Sequence, residues 1–388
     1  MKRNIPFAAN DYYFFRRERY SIQYAFRFSG RLNAAQIRRA LLCTAIHLPP
    51  LGARIVRTGP ASLGLRPGHS IPMREQFVAE GAPLDALFDG VKNEEQAPLV
   101  KVVLSRAPSQ DIVGFSFSHF LGDGASFRIF LRTLSTYLKG EAPEPADHDR
   151  ERLAGGNYLQ PLSARKLLYK TSGYEVAELR EPLAVRMEAL FFSHAEVSAR
   201  KSLAAEAGLK VSGNALMMAS LAKRFHRDIP LHQGKFLVRC PVDFRGLYGL
   251  PAGYFGNAVL DAVAEFYPSE MKNLSVEMIA ARIFASIRAV TPDRVNQHCA
   301  LLRRLREEEG LAIFEQLSCP GLLVSNLAKL DLGAIDLGAG PAQELIPASV
   351  NPRLAVILAA EGGYRVNFKR PILKPEECLS ASKRMPNC

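Results

Sequence analysis

Tyr20, Ile22, Tyr24, Phe26 and Phe28 are apolar at every second position, and this period of two predicts a half-buried strand. Gly30 ends the run. Asn33 offers an N-cap for a helix over 34–46, with Ile37, Ala40, Leu41 and Ala45 on one face and Pro49-Pro50 as the stop. A short strand is expected over 54–57, followed by a Gly/Pro-rich irregular stretch to about Pro72. Two more strands, over 99–105 and 112–118, flank a polar turn at 108–111. Phe127, Phe130, Leu131, Leu134 and Leu138 then recur at helical spacing.

The stretch over 139–153, KGEAPEPADHDRERL, is rich in proline and charge and predicts a linker or exposed excursion. A new pattern starts near Ala189. Helices are expected over 195–208, from a Ser212 cap, over 278–290 and over 297–309. Strands are expected over 235–243, 254–266 and 322–325, and a hairpin over 354–370 turns at Gly362-Gly363. No internal repeat is visible. The mixed order of strands and helices argues for α/β sandwich layers (an α+β arrangement) and against a doubly wound parallel sheet.

The chain has 388 residues, more than one hydrophobic core usually supports, so two domains are expected, over 1–175 and 185–388. Its 48% hydrophobic and 23% charged residues are those of an ordinary globular protein. No apolar run approaches the roughly 20 residues of a membrane-spanning helix, and no signal peptide is visible at the start. Cys43, Cys240, Cys299, Cys319, Cys378 and Cys388 are scattered without C-x-x-C spacing. That pattern argues against a zinc site or disulfide framework and for the cytoplasm. The net charge of +12 serves solubility or an anionic partner. Because the basic residues are dispersed and no exposed aromatic stacking motif accompanies them, nucleic acid is not the expected partner.

The chemistry concentrates in F-S-F-S-H-F-L-G-D-G, residues 115–124. His119 leaves an apolar strand, Asp123 follows four residues later, and Gly124 opens the next helix. A lone histidine in such a place is more often packed or merely exposed, and the spacing alone does not join it to Asp123. Asp123 has another role open to it, as an anchor for the loop through a distant cation. Arg245, in C-P-V-D-F-R-G over 240–246, is the candidate, since its planar fork binds both carboxylate oxygens. Ser118 and Ser126 are possible nucleophiles, but no G-x-S-x-G elbow surrounds either. Cys240 reads as a small buried residue. His47, His69 and His298 form no metal-ligand spacing, so no metal is expected.

The H-x-x-x-D-G motif after a strand, with P-V-D-x-R downstream, resembles the coenzyme A-dependent acyltransferase superfamily. That group holds chloramphenicol acetyltransferase, the plant BAHD enzymes, alcohol acetyltransferases, wax ester synthases and condensation domains. F-S-G-R-L-N-A-A-Q-I-R-R-A-L (28–41) and L-P-P-L-G-A-R (48–54) are similar to its first strand, first helix and exit. Y-F-G-N-A-V (254–259) and V-S-N-L (324–327) are similar to two later strands, so the likeness spans nearly the whole chain. Ser118 stands where condensation domains and wax ester synthases usually carry a first histidine. In place of the plant D-F-G-W-G there is only L-D-L-G-A-I-D-L-G (330–338), and tryptophan is absent. These departures point towards the bacterial alcohol acetyltransferase-like group.

The resemblance implies two pseudo-symmetric chloramphenicol-acetyltransferase-like α/β sandwich domains with a tunnel between them. His119 would be the general base, Asp123 and Arg245 a structural pair, and Gly124 part of the loop. Ser325 and Asn326 would be candidate contacts for the oxyanion or substrate. The implied reaction moves an acyl group from acyl-CoA to a hydroxyl or amine of a small acceptor, with no tightly bound cofactor. Two alternatives stay open: a condensation-type domain fed by the phosphopantetheine arm of an acidic acyl carrier protein, and a non-catalytic scaffold.

Overall fold

The computed structural model describes residues 4–15, 21–68, 70–153, 185–228, 236–315, 321–348 and 354–371. The expected division between 175 and 185 and His69 lie outside these residues, as do Cys319, Cys378 and Cys388.

Chain order begins with β1 (Ile5–Pro6), a 3-10 turn (Ala9–Phe14), β2 (Ser21–Phe28) and α1 (Ala34–His47). It continues through β3 (Arg54–Gly59), β4 (Ser62–Arg66), β5 (Met73–Phe77), β6 (Val100–Arg106), β7 (Asp111–Ser118) and α2 (Gly124–Leu138). The second half runs β8 (Val185–Ser193), α3 (His194–Glu206), α4 (Gly213–Asp228), β9 (Phe236–Asp243) and β10 (Val259–Phe266). After α5 (Pro268–Asn273), α6 (Val276–Arg288) and α7 (Pro292–Glu309) come β11 (Leu322–Asn326), β12 (Glu344–Pro347), β13 (Leu354–Ala360) and β14 (Gly363–Pro371).

The described residues form three sheets, in the orders β12-β2-β7-β6-β5, β10-β9-β11-β13-β14-β8 and β1-β4-β3. In the five-stranded sheet β2 lies antiparallel to β7, from Ser21 opposite Ser118 to Phe28 opposite Asp111. This register sets the start of β2 beside the end of β7, where His119 leaves the sheet. In the six-stranded sheet β11 runs parallel between β9 and β13. Helices α1 and α2 pack together, and in the second half α6 lies against α4 and β10. Mixed sheets with packed helices match the α/β sandwich reading. No helix among the described residues is long and apolar enough to cross a membrane.

Local chemistry explains the element ends. Asn33 caps α1 by accepting from the amides of Ala35 and Gln36. Ser212 accepts from the amide of Ala215 at the start of α4, and Ser193 and Ser275 cap α3 and α6. Gly310 follows α7 with φ of 73°, a left-handed value that suits glycine.

Four expectations need correction. The irregular stretch before Pro72 contains β4, which is short and glycine-interrupted, so only Leu63 and Leu65 mark its period. Helix α7 starts at Pro292, with Thr291 as N-cap and proline in its first turn. The strand expected from Tyr254 begins only at Val259, because residues 254–258 form a loop around Arg245. The charged stretch 139–153 is not simply an excursion, since Arg150 and Leu153 are buried and the Asp147 carbonyl accepts from the amide of Phe255. Moreover, β12 pairs with β2, so a strand from the second half completes the first sheet.

Gly114 occupies the centre of β7, flanked by β2 and β6. A Cβ there would lie 1.9 Å from the carbonyl oxygen of Leu87, and backbone cannot give way as a side chain can. Gly114→Ala is therefore expected to cost at least about 2 kcal/mol of stability, checked by denaturant unfolding, with α2 and the site after it loosened.

Candidate active site

Strand β7 ends at Ser118, and the next three residues turn the chain towards α2, with the amide of Leu121 donating to the carbonyl of Ser118 at 3.0 Å. Ser118, Phe120 and Leu121 are fully buried, whereas His119 between them keeps part of its surface open. Its ring stacks on Phe14 with centroids 4.0 Å apart and planes 8° from parallel. The Nδ2 of Asn257 donates to the His119 carbonyl at 3.0 Å. Burial pushes the imidazole below its ordinary 6.5, against smaller upward pulls from its own carbonyl, the Asp123 charge, Asn257 and Asp261. The ring is thus neutral at pH 7 and free of the positive charge that would stop it accepting a proton.

Asp123 is the N-cap of α2 and is buried. Its Oδ1 accepts from the Ser126 amide at 3.0 Å and from Nη2 of Arg245 at 2.8 Å. Its Oδ2 accepts from Nη1 of Arg245 at 2.9 Å and from the Ala258 amide at 2.9 Å. Burial alone would raise this carboxyl, but the Arg245 charge and its two hydrogen bonds, with the backbone donors, hold it below the usual carboxylate range. With four donors on two oxygens the carboxylate has no capacity left for another partner. Arg245, also buried, gives its remaining hydrogens to the carbonyls of Tyr254 at 3.2 Å and Gly256 at 3.0 Å and to Asp243 at 3.3 Å.

Gly124 does more than open the helix. A Cβ there would sit 3.1 Å from Leu327 and 3.2 Å from Leu330, so it lets the loop after β11 close on α2. The two serines are structural. Ser126 donates to the Gly256 carbonyl at 2.8 Å and accepts from its amide at 2.9 Å, and Ser118 donates to Asn93. Cys240 is buried, and that burial pushes its thiol up to about 12, so no nucleophilic thiolate is available near neutrality. Ser325 and Asn326 close β11 at partly exposed positions. The Asn326 amide donates to Asn214 at 2.9 Å, and its Oδ1 accepts from Ala328 at 3.0 Å. His47 meets the carbonyl of Glu144 and His298 the side chain of Asn10. Among the described residues no group of three His, Cys, Asp or Glu side chains is arranged to hold a metal.

Several residues at the site carry no sequence signal of their own. Phe14 belongs to a short 3-10 turn far from the motif. Asn257 stands inside the quoted Y-F-G-N-A-V but reads there as a strand residue, not as a donor to His119. Asp11 and Arg150, buried together, come from two segments without a periodic pattern.

No family model and no curated protein matches the sequence. Solved structures do match it. TRI101 of F. graminearum, crystallised with ethyl coenzyme A, aligns at a TM-score of 0.77 and 13% identity over 97% of this chain and 96% of that one. Vinorine synthase aligns at 0.69 and 15% identity, over 97% and 91%. The starter condensation domain of rhizomide synthetase, in complex with C8-CoA and Leu-SNAC, aligns at 0.62 and 15% identity, over 98% and 92%. The chain has the fold of the coenzyme A-dependent acyltransferase superfamily, the group its motifs resemble. At these identities the likeness speaks for the fold.

Removing one partner of the fork strands the other charge in a buried site. Asp123→Ala and Arg245→Ala are each expected to cost about 3–5 kcal/mol, checked by urea unfolding at pH 7. Because the Asp123 carboxyl is depressed on folding, its contribution is full above the unfolded value of 3.8 and is lost as pH falls through the lower folded one. Asp123→Asn should therefore flatten the acid limb of stability below about pH 4.

Proposed function

We propose that this protein is an acyltransferase that moves an acyl group from acyl-CoA to a hydroxyl or amine acceptor, with His119 as general base. One observation carries the reading: a neutral, partly open imidazole stands on a turn that is otherwise buried and is anchored by the Asp123–Arg245 fork. His119 takes the proton of the acceptor as its oxygen or nitrogen attacks the thioester carbonyl carbon. The tetrahedral intermediate then collapses, the carbon–sulfur bond breaks, and the leaving sulfur takes the proton from His119, so that coenzyme A departs as the thiol and the imidazole is neutral again. Asp123 and Arg245 hold the loop and relay no proton, since every lone pair of the carboxylate is occupied. For the oxyanion the candidates are the hydroxyl of Ser325 and the amide of Asn326, which gives one hydrogen to Asn214 and keeps a second.

Coenzyme A as donor is supported by the fold neighbours crystallised with it or with an acyl or alkyl form of it, and by a net chain charge of +12, which suits an anionic ligand. One TRI101 structure holds deoxynivalenol together with coenzyme A, which supports a small molecule as the second ligand on this fold. Free thiols at Cys43, Cys240 and Cys299 suit a reducing compartment such as the cytoplasm. The condensation domains among the neighbours support a second reading, in which a carrier-bound phosphopantetheine arm replaces coenzyme A.

His119→Ala is expected to stay folded and to lose about 10²–10⁴-fold in turnover. In the wild type, kcat/KM should rise with pH with its midpoint below the ordinary imidazole value of 6.5, since burial lowers the base. Retained turnover in folded His119→Ala would remove the assignment. Acyl-CoA at about 100 times its Kd should stabilise the protein by about 2.7 kcal/mol, read as a rise in Tm. A rise graded by acyl length identifies the donor class. The absence of any rise transfers the reading to a carrier-bound donor.

A further inference from the structure

A second buried ion pair stands behind the turn that carries His119. Asp11, on the 3-10 turn Ala9–Phe14, meets Arg150 from the end of the 139–153 stretch, and neither side chain is exposed at all. Nη2 of Arg150 donates to the carbonyl of Leu121 at 2.6 Å. Asn257 Nδ2 donates to the carbonyl of His119 at 3.0 Å and to Oδ1 of Asp11 at 2.9 Å. The amide of Asn257 reaches the same Asp11 oxygen at 3.3 Å, while Asn10 donates to the Asn257 carbonyl at 3.0 Å. Both outer carbonyls of the His119–Leu121 turn are therefore held by donors that Asp11 holds in turn. Phe120, between them, stacks on Phe7 at 3.8 Å, and the Arg150 guanidinium lies 5.8 Å over that same ring.

Stability alone does not account for this arrangement. Burying two ions carries a desolvation cost that their attraction barely offsets, and well-packed apolar side chains of the same size commonly serve as well. What a guanidinium fork and a carboxylate supply is direction, because each bond fixes an angle as well as a distance. We infer that Asp11 and Arg150, acting through Asn257, are positioning residues for His119. They fix the backbone of the turn from one side as Asp123 anchors its other end. The inference rests on the base reading above. The sensitivity is large, since a displacement of about 1 Å at a reacting group can cost about 10²-fold in rate.

The test uses the full chain with Asp11→Asn/Arg150→Met, which removes both charges together and leaves no stranded ion, and separately Asn257→Ala, which keeps the pair and cuts its link to His119. Folding is checked by circular dichroism and melting. In the folded variants kcat is expected to fall about 10- to 100-fold with KM for acyl-CoA within about threefold of wild type. The NMR resonance of the His119 ring, identified by its loss in His119→Ala, should broaden or split as the turn gains alternative positions. Folded variants with kcat within about twofold of wild type, or with an unchanged His119 resonance, overturn the inference. The resonance needs no turnover, so the two readings fail separately. Wild-type turnover in His119→Ala refutes the base, whereas an unchanged resonance in the folded variants refutes the positioning whatever His119 does.

Discussion

The fork between Asp123 and Arg245 is the contact on which the rest of the site depends. Each charge is buried, and each alone would be very costly in that environment. Together they force the start of α2 against the chain just after β9, and so join the two halves beside His119. The remaining hydrogens of Arg245 then collect the carbonyls of Tyr254 and Gly256, which shapes the loop before β10. That loop returns donors to the first half, among them the Ala258 amide to Asp123, the Gly256 amide to Ser126 and the Asn257 side chain to His119. One ion pair thus organises a helix start, a loop and the backbone of the candidate base.

This division of labour separates structure from chemistry within a few residues. The carboxylate four residues from the imidazole is saturated by four donors, so its role is to be a fixed point. The imidazole is kept neutral by burial while part of it remains open. The hydroxyls nearest in sequence, Ser118 and Ser126, are tied into the frame, which leaves the nucleophile to come from outside. With both hydroxyls tied in this way, the proposed base at His119 suits direct transfer between two bound molecules better than a covalent acyl-enzyme.

Much of this was legible in the chain because it rests on local rules. Alternation over 22–28 and 112–118 marked two central strands, and Asn33, Ser212 and the glycine turn at 362–363 marked ends through their capping and turn chemistry. Other elements escaped for physical reasons. β4 is interrupted by Gly64 and too short to show a period. β12 is four residues long and has meaning only through its pairing with β2. Arg150 sits in a run of prolines and charges that reads as solvated, yet it is buried because Asp11, 139 residues earlier, neutralises it.

By itself the sequence determined the elements that depend on near neighbours: the strand that delivers His119, the helix that opens at Gly124, and the caps at Asn33 and Ser212. Periodicity and capping act over a few residues, so they are written in the order of the chain. Tertiary structure alone decided which charges meet and which carbonyls they hold. Asp123 is joined to Arg245 across 122 positions, and Asn257 to His119 across 138. The partner of a buried charge is set by three-dimensional packing and by the cost of leaving that charge alone, and spacing along the chain encodes neither.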